Sequence, residues 1–242
     1  MIKSALKLKE SVVNIDLLSS SECQQVSSTV HKLKELWIPQ RSGVPFYSLG
    51  NGSYFHTVSG KLLKHDYDTL LKQYNPLLQK HFGWLYQRLA DSLSQQLNAP
   101  TCYPDNLALP GFHIFLYHPI FKQPIAHLHR DLQYLQHQWH EDQENKNHIS
   151  FTLSLELPRT GGGMNIWDLH HHEVDELSQA EVKVLAASRQ KEFYPYQIGK
   201  YALHSGHFIH QIAPAKNMQP DDRRITLQGH GTCDRGVWHL YW

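Results

Sequence analysis

From Leu109 onward the chain is cut into short apolar segments, each bounded by Gly, Pro, Asn or Asp. They are "GFHIFLYH", "IAHLHRDLQ", "ISFTLSLELP", "GGMNIWD", "FYPYQIG", "KYALHSG", "HFIHQIAP", "RRITLQGHG" and "GVWHLYW". Segments of this length between turn residues read as strands, and so many in succession predict a sandwich or jelly-roll barrel. One helix interrupts them, "LSQAEVKVLAAS", with Ser178 as its candidate cap. In "FTLSLELP" the strand alternation puts Phe151, Leu153, Leu155 and Leu157 on one face and Thr152, Ser154 and Glu156 on the other. That pattern suits a sheet with an apolar core on one side and either a polar lumen or solvent on the other.

The residues before Leu109 read as a helical scaffold. "ECQQVSSTVHKLKELW" carries Val26, Val30, Leu33 and Leu36 at helical spacing behind Ser20 or Ser21 as cap. A second apolar stripe runs from Leu70 to Leu97, and Pro76 is expected to divide it. "RSGVPFYSLGNGSYFH", broken by Gly and Pro, is a loop or short strands. With no internal repeat or low-complexity tract, the expectation is one domain over 1–242. Residues 1–108 would form an N-terminal helical layer, and residues 109–242 the β core and C-terminal tail.

Composition narrows the class further. A net charge of +1 gives no footprint for a nucleic-acid or membrane-surface binder. No apolar run approaches the roughly 18 residues of a membrane span, and the first twenty residues lack the h-region of a signal peptide. Cys23, Cys102 and Cys233 are far apart and form no CxxC pair, which argues against a disulfide framework and for a reducing, cytoplasmic setting.

Within the β half, His129 and Asp131 in "HLHRDLQ" precede His210 in "GHFIHQIAP", and Arg224-Ile225-Thr226 follows. A His-X-Asp pair on extended chain directs both side chains to one side. Two imidazoles and a carboxylate on one face of a metal suit non-heme Fe(II) chemistry. Arg224 and Thr226 share a strand face by the same alternation, and a guanidinium with a hydroxyl can grip a carboxylate. Rivals exist for several of these. His140 and Asp142 repeat the His-X-Asp spacing in a polar run, Arg223 adjoins Arg224, and His207 lies three residues before His210. His127 shares a strand face with His129, and "HHHE" at His170 to Glu173 can bind metal adventitiously or be a charged loop. The run Gly161-Gly162-Gly163 lacks the Lys-Ser/Thr of a phosphate loop.

Taken in order, these elements resemble the Fe(II)/2-oxoglutarate-dependent dioxygenases of the prolyl-hydroxylase-like group. The resemblance spans about Leu109 to Leu227: Tyr117, then His129-X-Asp131, "LELP", "GGGMNIWD", "GKYALHSGHFIHQIAP" and Arg224-X-Thr226. It implies a mainly β fold with flanking α-helices, a double-stranded β-helix of the jelly-roll, cupin-like kind. His129, Asp131 and His210 would bind Fe(II), and Arg224, with Thr226 and Tyr117, would hold the distal carboxylate of 2-oxoglutarate. Related halogenases carry a small residue at the carboxylate position, so Asp131 implies hydroxylation by O2, with succinate and CO2 as co-products. Desaturation, epimerisation and ring closure share its first steps. The expected substrate is an amino acid or related small natural product, met by Arg130, Gln133 and Glu156 near the mouth. The tail residues Trp238, Tyr241 and Trp242 are expected to fold across that mouth, or else to pack in the core. The alternatives are a hydroxylase of a peptidyl residue and a cupin-like metal- or sugar-binding barrel without oxygen chemistry.

Overall fold

The computed structural model describes residues 11–58, 61–124, 126–137, 147–216 and 218–242. The rival pair His140 and Asp142 lies outside the described residues. In chain order the elements are β1 (Val12–Asp16), α1 (Ser20–Lys32), β2 (Ile38–Pro39), β3 (Phe46–Leu49), β4 (Thr57–Val58) and β5 (Lys61–Leu62). There follow α2 (Lys64–Leu97), β6 (Thr101–Cys102), β7 (Gly111–Phe115), β8 (His148–Glu156), β9 (Gly163–His170) and α3 (Gln179–Ala187). The chain closes with β10 (Lys191–Pro195), β11 (Lys200–His204), β12 (Phe208–Ile212), β13 (Arg224–Asp234) and β14 (Val237–Tyr241).

The strands make a large sheet ordered β1-β11-β8-β13-β7-β3-β2, extended by β14 beside β13 and by β6 beside β14. A smaller antiparallel sheet, β10-β9-β12, faces it, and β4 pairs with β5. The architecture is therefore mainly β, a two-sheet sandwich with the three α-helices of the described residues on its outer sides. β1 pairs with β11 and β3 with β7, and β2 adds to the edge of β3, so residues 1–108 supply strands of the large sheet as well as helices.

Strand alternation sorts the large sheet into two faces. Phe112, Ile114, Phe151, Leu153, Leu155, Ile225 and Leu227 point to the helices, where they meet Val26 and Val30 of α1 and Leu78, Phe82, Leu85, Leu89 and Leu93 of α2. Each fully buried side chain of this kind stabilises the fold by roughly 1.5–3 kcal/mol before entropy is counted. α1 starts at a capping box in which Ser19, rather than Ser20 or Ser21, caps the helix and Glu22 answers it. α2 is one helix that Pro76 does not divide. Pro76 and Lys72, whose carbonyl loses its helical partner, are both exposed, so solvent can take up the broken bond. α3 is capped by Ser178 as expected, with Glu181 completing the box. Its Val182 and Ala186 cover Trp167 and Leu169 on the outer side of the small sheet.

The C-terminal tail is core rather than lid. β14 is hydrogen-bonded to β13 along Trp238 to Tyr241 and runs parallel to β6. Trp238 joins the main core, while Trp242 is fully buried, with its backbone tied to Ala108 and Ser53. Its indole fills the space above Gly111, where a Cβ would meet Trp242 Cζ3 at 2.0 Å. Aromatic residues at a chain end pack here because β13 extends beyond its partner β7, and β14 covers that free edge. Trp242→Ala is expected to cost about 3–5 kcal/mol, read as a fall in the urea midpoint. Removing the residues after Gly236 should give unfolded or aggregated chain. A folded truncation with an unchanged midpoint would contradict this packing.

Candidate metal and anion site

Between the two sheets lies a cavity of ≈ 880 Å³. Its floor is the inner face of the large sheet, from which His113, Ser150, Thr152, Arg224, Gln228 and His230 project. Met164, His210 and Ile212 close it from the small sheet. Gln228 and His230 follow Arg224 and Thr226 at intervals of two along β13, the same alternation that turns Ile225 and Leu227 into the core.

His129 and Asp131 sit on extended chain that pairs briefly with the His210 region, not on the strand expected for "IAHLHRDLQ". His129 and His210 exchange both backbone bonds, at 3.0 and 2.9 Å, and Asp131 N donates to Gly206 O at 3.0 Å. This short ladder places the three side chains on one side, and their ligand atoms lie within 4.8 Å of one another. His129 Nδ1 lies 2.9 Å from the carbonyl of His127, and His210 Nδ1 lies 2.8 Å from that of Phe208. With Nδ1–H donating to a carbonyl, each ring keeps a lone pair on Nε2 for a metal. His210 Nε2 is 3.3 Å from Asp131 Oδ2.

Gly206 makes the convergence possible. It has φ +74, and a Cβ there would meet Asp131 Cβ and His148 Nε2 at 2.8 Å each. Only glycine accepts both that backbone and that contact.

Burial and mutual charge set the protonation states. Burial, then the neighbouring His210, push His129 down to about 4. Burial alone would raise Asp131 and lower His210, but the contact between them wins. It holds the carboxyl well below its usual range and raises the imidazole. A metal ion entering the site would displace the His210 proton and take over its role as counter-charge to Asp131.

Arg224 is buried against the cavity, and its Nε, Nη1 and Nη2 have no hydrogen-bond partner among the described residues. The rings of Tyr196 and Phe115 flank its guanidinium at 5.3 and 5.7 Å. A buried, unanswered guanidinium is costly, and an anion in the cavity would satisfy it. Burial raises the Tyr196 phenol, which lies beside Arg224 and Thr152, so it stays a donor.

The remaining expected residues divide. Arg130 and Gln133 line the cavity, Arg130 also pairing with Asp175 at 3.2 Å. Thr226 lies on the Arg224 face, fully buried, with Gln228 Nε2 3.4 Å from its hydroxyl. Tyr117 is outside the cavity lining, packed with Phe115 and Phe121, and Tyr196 occupies the place beside Arg224. Glu156 is also outside. A register shift between Ile225 and Thr226 breaks the alternation, pairs Glu156 with the core-facing Ile225, and turns its carboxylate to Ser27 of α1 and to Arg223. Arg223 Nε is 3.1 Å from Glu156, on the helix side, which separates it from Arg224. His207 stands near His170 and His171 rather than in the ligand set. Trp238 and Trp242 do not line the cavity. Sequence reasoning missed Tyr196, His204, Gly206, Gln228 and His230. Of these, Gln228 and His230 were accessible from the alternation after Arg224, whereas Tyr196 arrives from the chain beyond β10 with no pattern to announce it.

No protein-family model and no curated protein matches this chain. Solved structures do. A novel N-substituted L-amino acid dioxygenase from Burkholderia ambifaria AMMD is similar at 16% identity, TM-score 0.58, over 98% of this chain and 89% of that one. The same protein's complex with alpha-KG is similar at 15% identity and TM-score 0.55, over 96% and 86%. The epimerase SnoN, in complex with Fe3+, alpha ketoglutarate and nogalamycin RO, is similar at 14% identity and TM-score 0.54, over 93% and 79%. The chain shares the fold of these structures.

Two measurements test this geometry. His129→Ala, Asp131→Ala and His210→Ala should each lose most Fe(II) binding by calorimetry, and Gly206→Ala should weaken it without altering the ligands themselves. Retained affinity in all four would show that the ions bind elsewhere. The second test is acid stability. Burial pushes His113, His148 and His204 down to about 3, so between that value and the unfolded 6.5 the unfolded chain binds more protons. The metal-free protein should therefore lose stability as pH falls through this window, read as the urea midpoint against pH. A flat profile would contradict it.

Proposed function

We propose that the chain is an Fe(II)- and 2-oxoglutarate-dependent oxygenase, built on a double-stranded β-helix, that oxidises a C–H bond of an amino acid or related small natural product. The observation that carries this reading is the pairing, in one cavity, of the His129, Asp131 and His210 donors with the unpartnered Arg224 guanidinium. A plain metal-binding or sugar-binding barrel has no need of a buried cation without a counter-ion.

In this reading His129, Asp131 and His210 would hold the metal through two imidazoles and a carboxylate, a donor set that suits Fe(II). Arg224 takes the distal carboxylate of 2-oxoglutarate, replacing an unpaired buried charge with a charge-assisted pair. Tyr196, protonated by virtue of burial, donates beside it, and Thr226 supports the same strand face. Fe(II) with 2-oxoglutarate, when bound, would supply O2 activation, with succinate and CO2 as co-products. The chain's own part is positioning and water exclusion. Phe46, Phe55, Phe115 and Phe121 supply apolar wall, while Arg130 and Gln133 offer polar contacts for orienting a substrate. A cavity of ≈ 880 Å³ leaves room for a small molecule beside the co-substrate.

Succinate formation from 2-oxoglutarate, dependent on Fe(II) and O2 and stimulated by a small-molecule substrate, tests the activity. Arg224→Ala should weaken 2-oxoglutarate binding by roughly 3–5 kcal/mol, about two to three and a half powers of ten, while Fe(II) binding survives. The ligand-free Arg224→Ala protein should be no less stable than the unsubstituted chain, since it loses an unsatisfied buried charge. Arg223→Ala should keep co-substrate affinity. Equal losses in both variants would sink the assignment.

A further inference from the structure

Outside the cavity, β9 ends at His170 and the chain turns through His171, His172 and Glu173. Successive side chains on such a tight turn ordinarily diverge by about a third of a circle. Here they converge. The rings of His170, His171 and His172 lie 3.7 to 4.7 Å apart by centroid, and their candidate ligand atoms fall within 4.8 Å of one another.

The turn is held by groups other than these rings. His171 N donates to His207 O at 2.8 Å, and His170 N to Glu173 Oε1 at 3.0 Å. Glu173 is held in turn by Arg189. His170 Nδ1 has one long contact, from His172 N at 3.5 Å. His171 is buried, and its Nδ1 has no hydrogen-bond partner; the nearest carboxylate oxygen, Asp175 Oδ1, stands 3.8 Å away. Asp175 Oδ2 is likewise 3.8 Å from His172 Nδ1. A buried ring nitrogen left without a partner costs free energy, and a cation among these atoms would satisfy it.

We propose that His170, His171 and His172, with Asp175 beside them, form a second metal site on the outer rim of the small sheet, for a borderline divalent cation of the Zn2+ class. Imidazole donors suit Zn2+, Cu2+ and Ni2+ over Mg2+ or Ca2+. The donor set also differs from the two-imidazole, one-carboxylate set inside the cavity. His207, its ring 4.9 Å from that of His171, completes an imidazole-rich wall behind the site.

The test is a Zn2+ titration by calorimetry of the full chain without a histidine tag, in a variant carrying Asp131→Ala and His210→Ala. Those substitutions remove the cavity site alone, so what remains reports on the rim. One Zn2+ per chain should bind, and X-ray absorption should find three imidazoles around it. His172→Ala should abolish this binding. Its side chain is 73% exposed, so the fold is not at stake. In the unsubstituted chain the same titration should give two ions, falling to one with His172→Ala, while succinate formation at the cavity site is unchanged. No Zn2+ uptake in the cavity-site variant, or uptake undiminished by His172→Ala, would overturn the proposal and leave the cavity reading intact.

Discussion

The pairing of β8 with β13 is the constraint from which the rest of the molecule follows. It runs from Ile225 opposite Glu156 to Thr232 opposite His148, through the centre of the large sheet. Because side chains alternate, one ladder makes two surfaces. Leu153, Leu155, Ile225 and Leu227 bury themselves under α1 and α2, while Ser150, Thr152, Arg224, Gln228 and His230 face the cavity. A slip of one residue would exchange these faces, placing leucines in the cavity and Arg224 in the core. Packing against the helices therefore secures the register that presents the polar groups.

Within the cavity, charges are arranged to be completed by ligands. Asp131 is the carboxylate nearest the three imidazole-bearing residues His129, His210 and His230, and it leans on the His210 proton. Arg224 has ring faces and the Tyr196 phenol beside it but, among the described residues, no carboxylate. Both arrangements are costly alone, and both improve when a cation arrives at the first and an anion at the second. Gly206 is the backbone counterpart of this logic, since its left-handed φ lets the chain approach Asp131 and His148 closely. The stability of such a protein should rise with its ligands.

Much of this was legible beforehand because it depends on periodicity. The shared face of His129 with Asp131 and the alternating faces of "FTLSLEL" needed only period-two reasoning, whereas His210 came from the resemblance; the structure brings His129, Asp131, His210 and Arg224 to one cavity. Periodicity also explains the misreadings. Glu156 belongs to the polar face by counting, but one register shift opposite Ile225 sends it to Ser27 and Arg223. A bulge leaves no mark in the residues themselves. Trp238 and Trp242 could be read as lid or as core, since burial of such a segment depends on which strand edge is free to receive it. Tyr117 and Tyr196 are alike as residues, and only the three-dimensional path of the chain beyond β10 sets one beside Arg224. Pro76 would divide an isolated helix, yet here the packing of α2 on both sides of it outweighs one lost bond on the solvent side.

In the proposed function, one cavity holds a metal on His129, Asp131 and His210 within reach of an anion on Arg224. Anaerobic addition of Fe(II) and then 2-oxoglutarate, followed by visible absorption, tests it most directly. Chelation of the metal by the keto acid should give a weak charge-transfer band that requires both additions and saturates at one co-substrate per chain. Fe(II) binding without any such band would contradict the account, for it would mean that the metal and the guanidinium do not share a ligand.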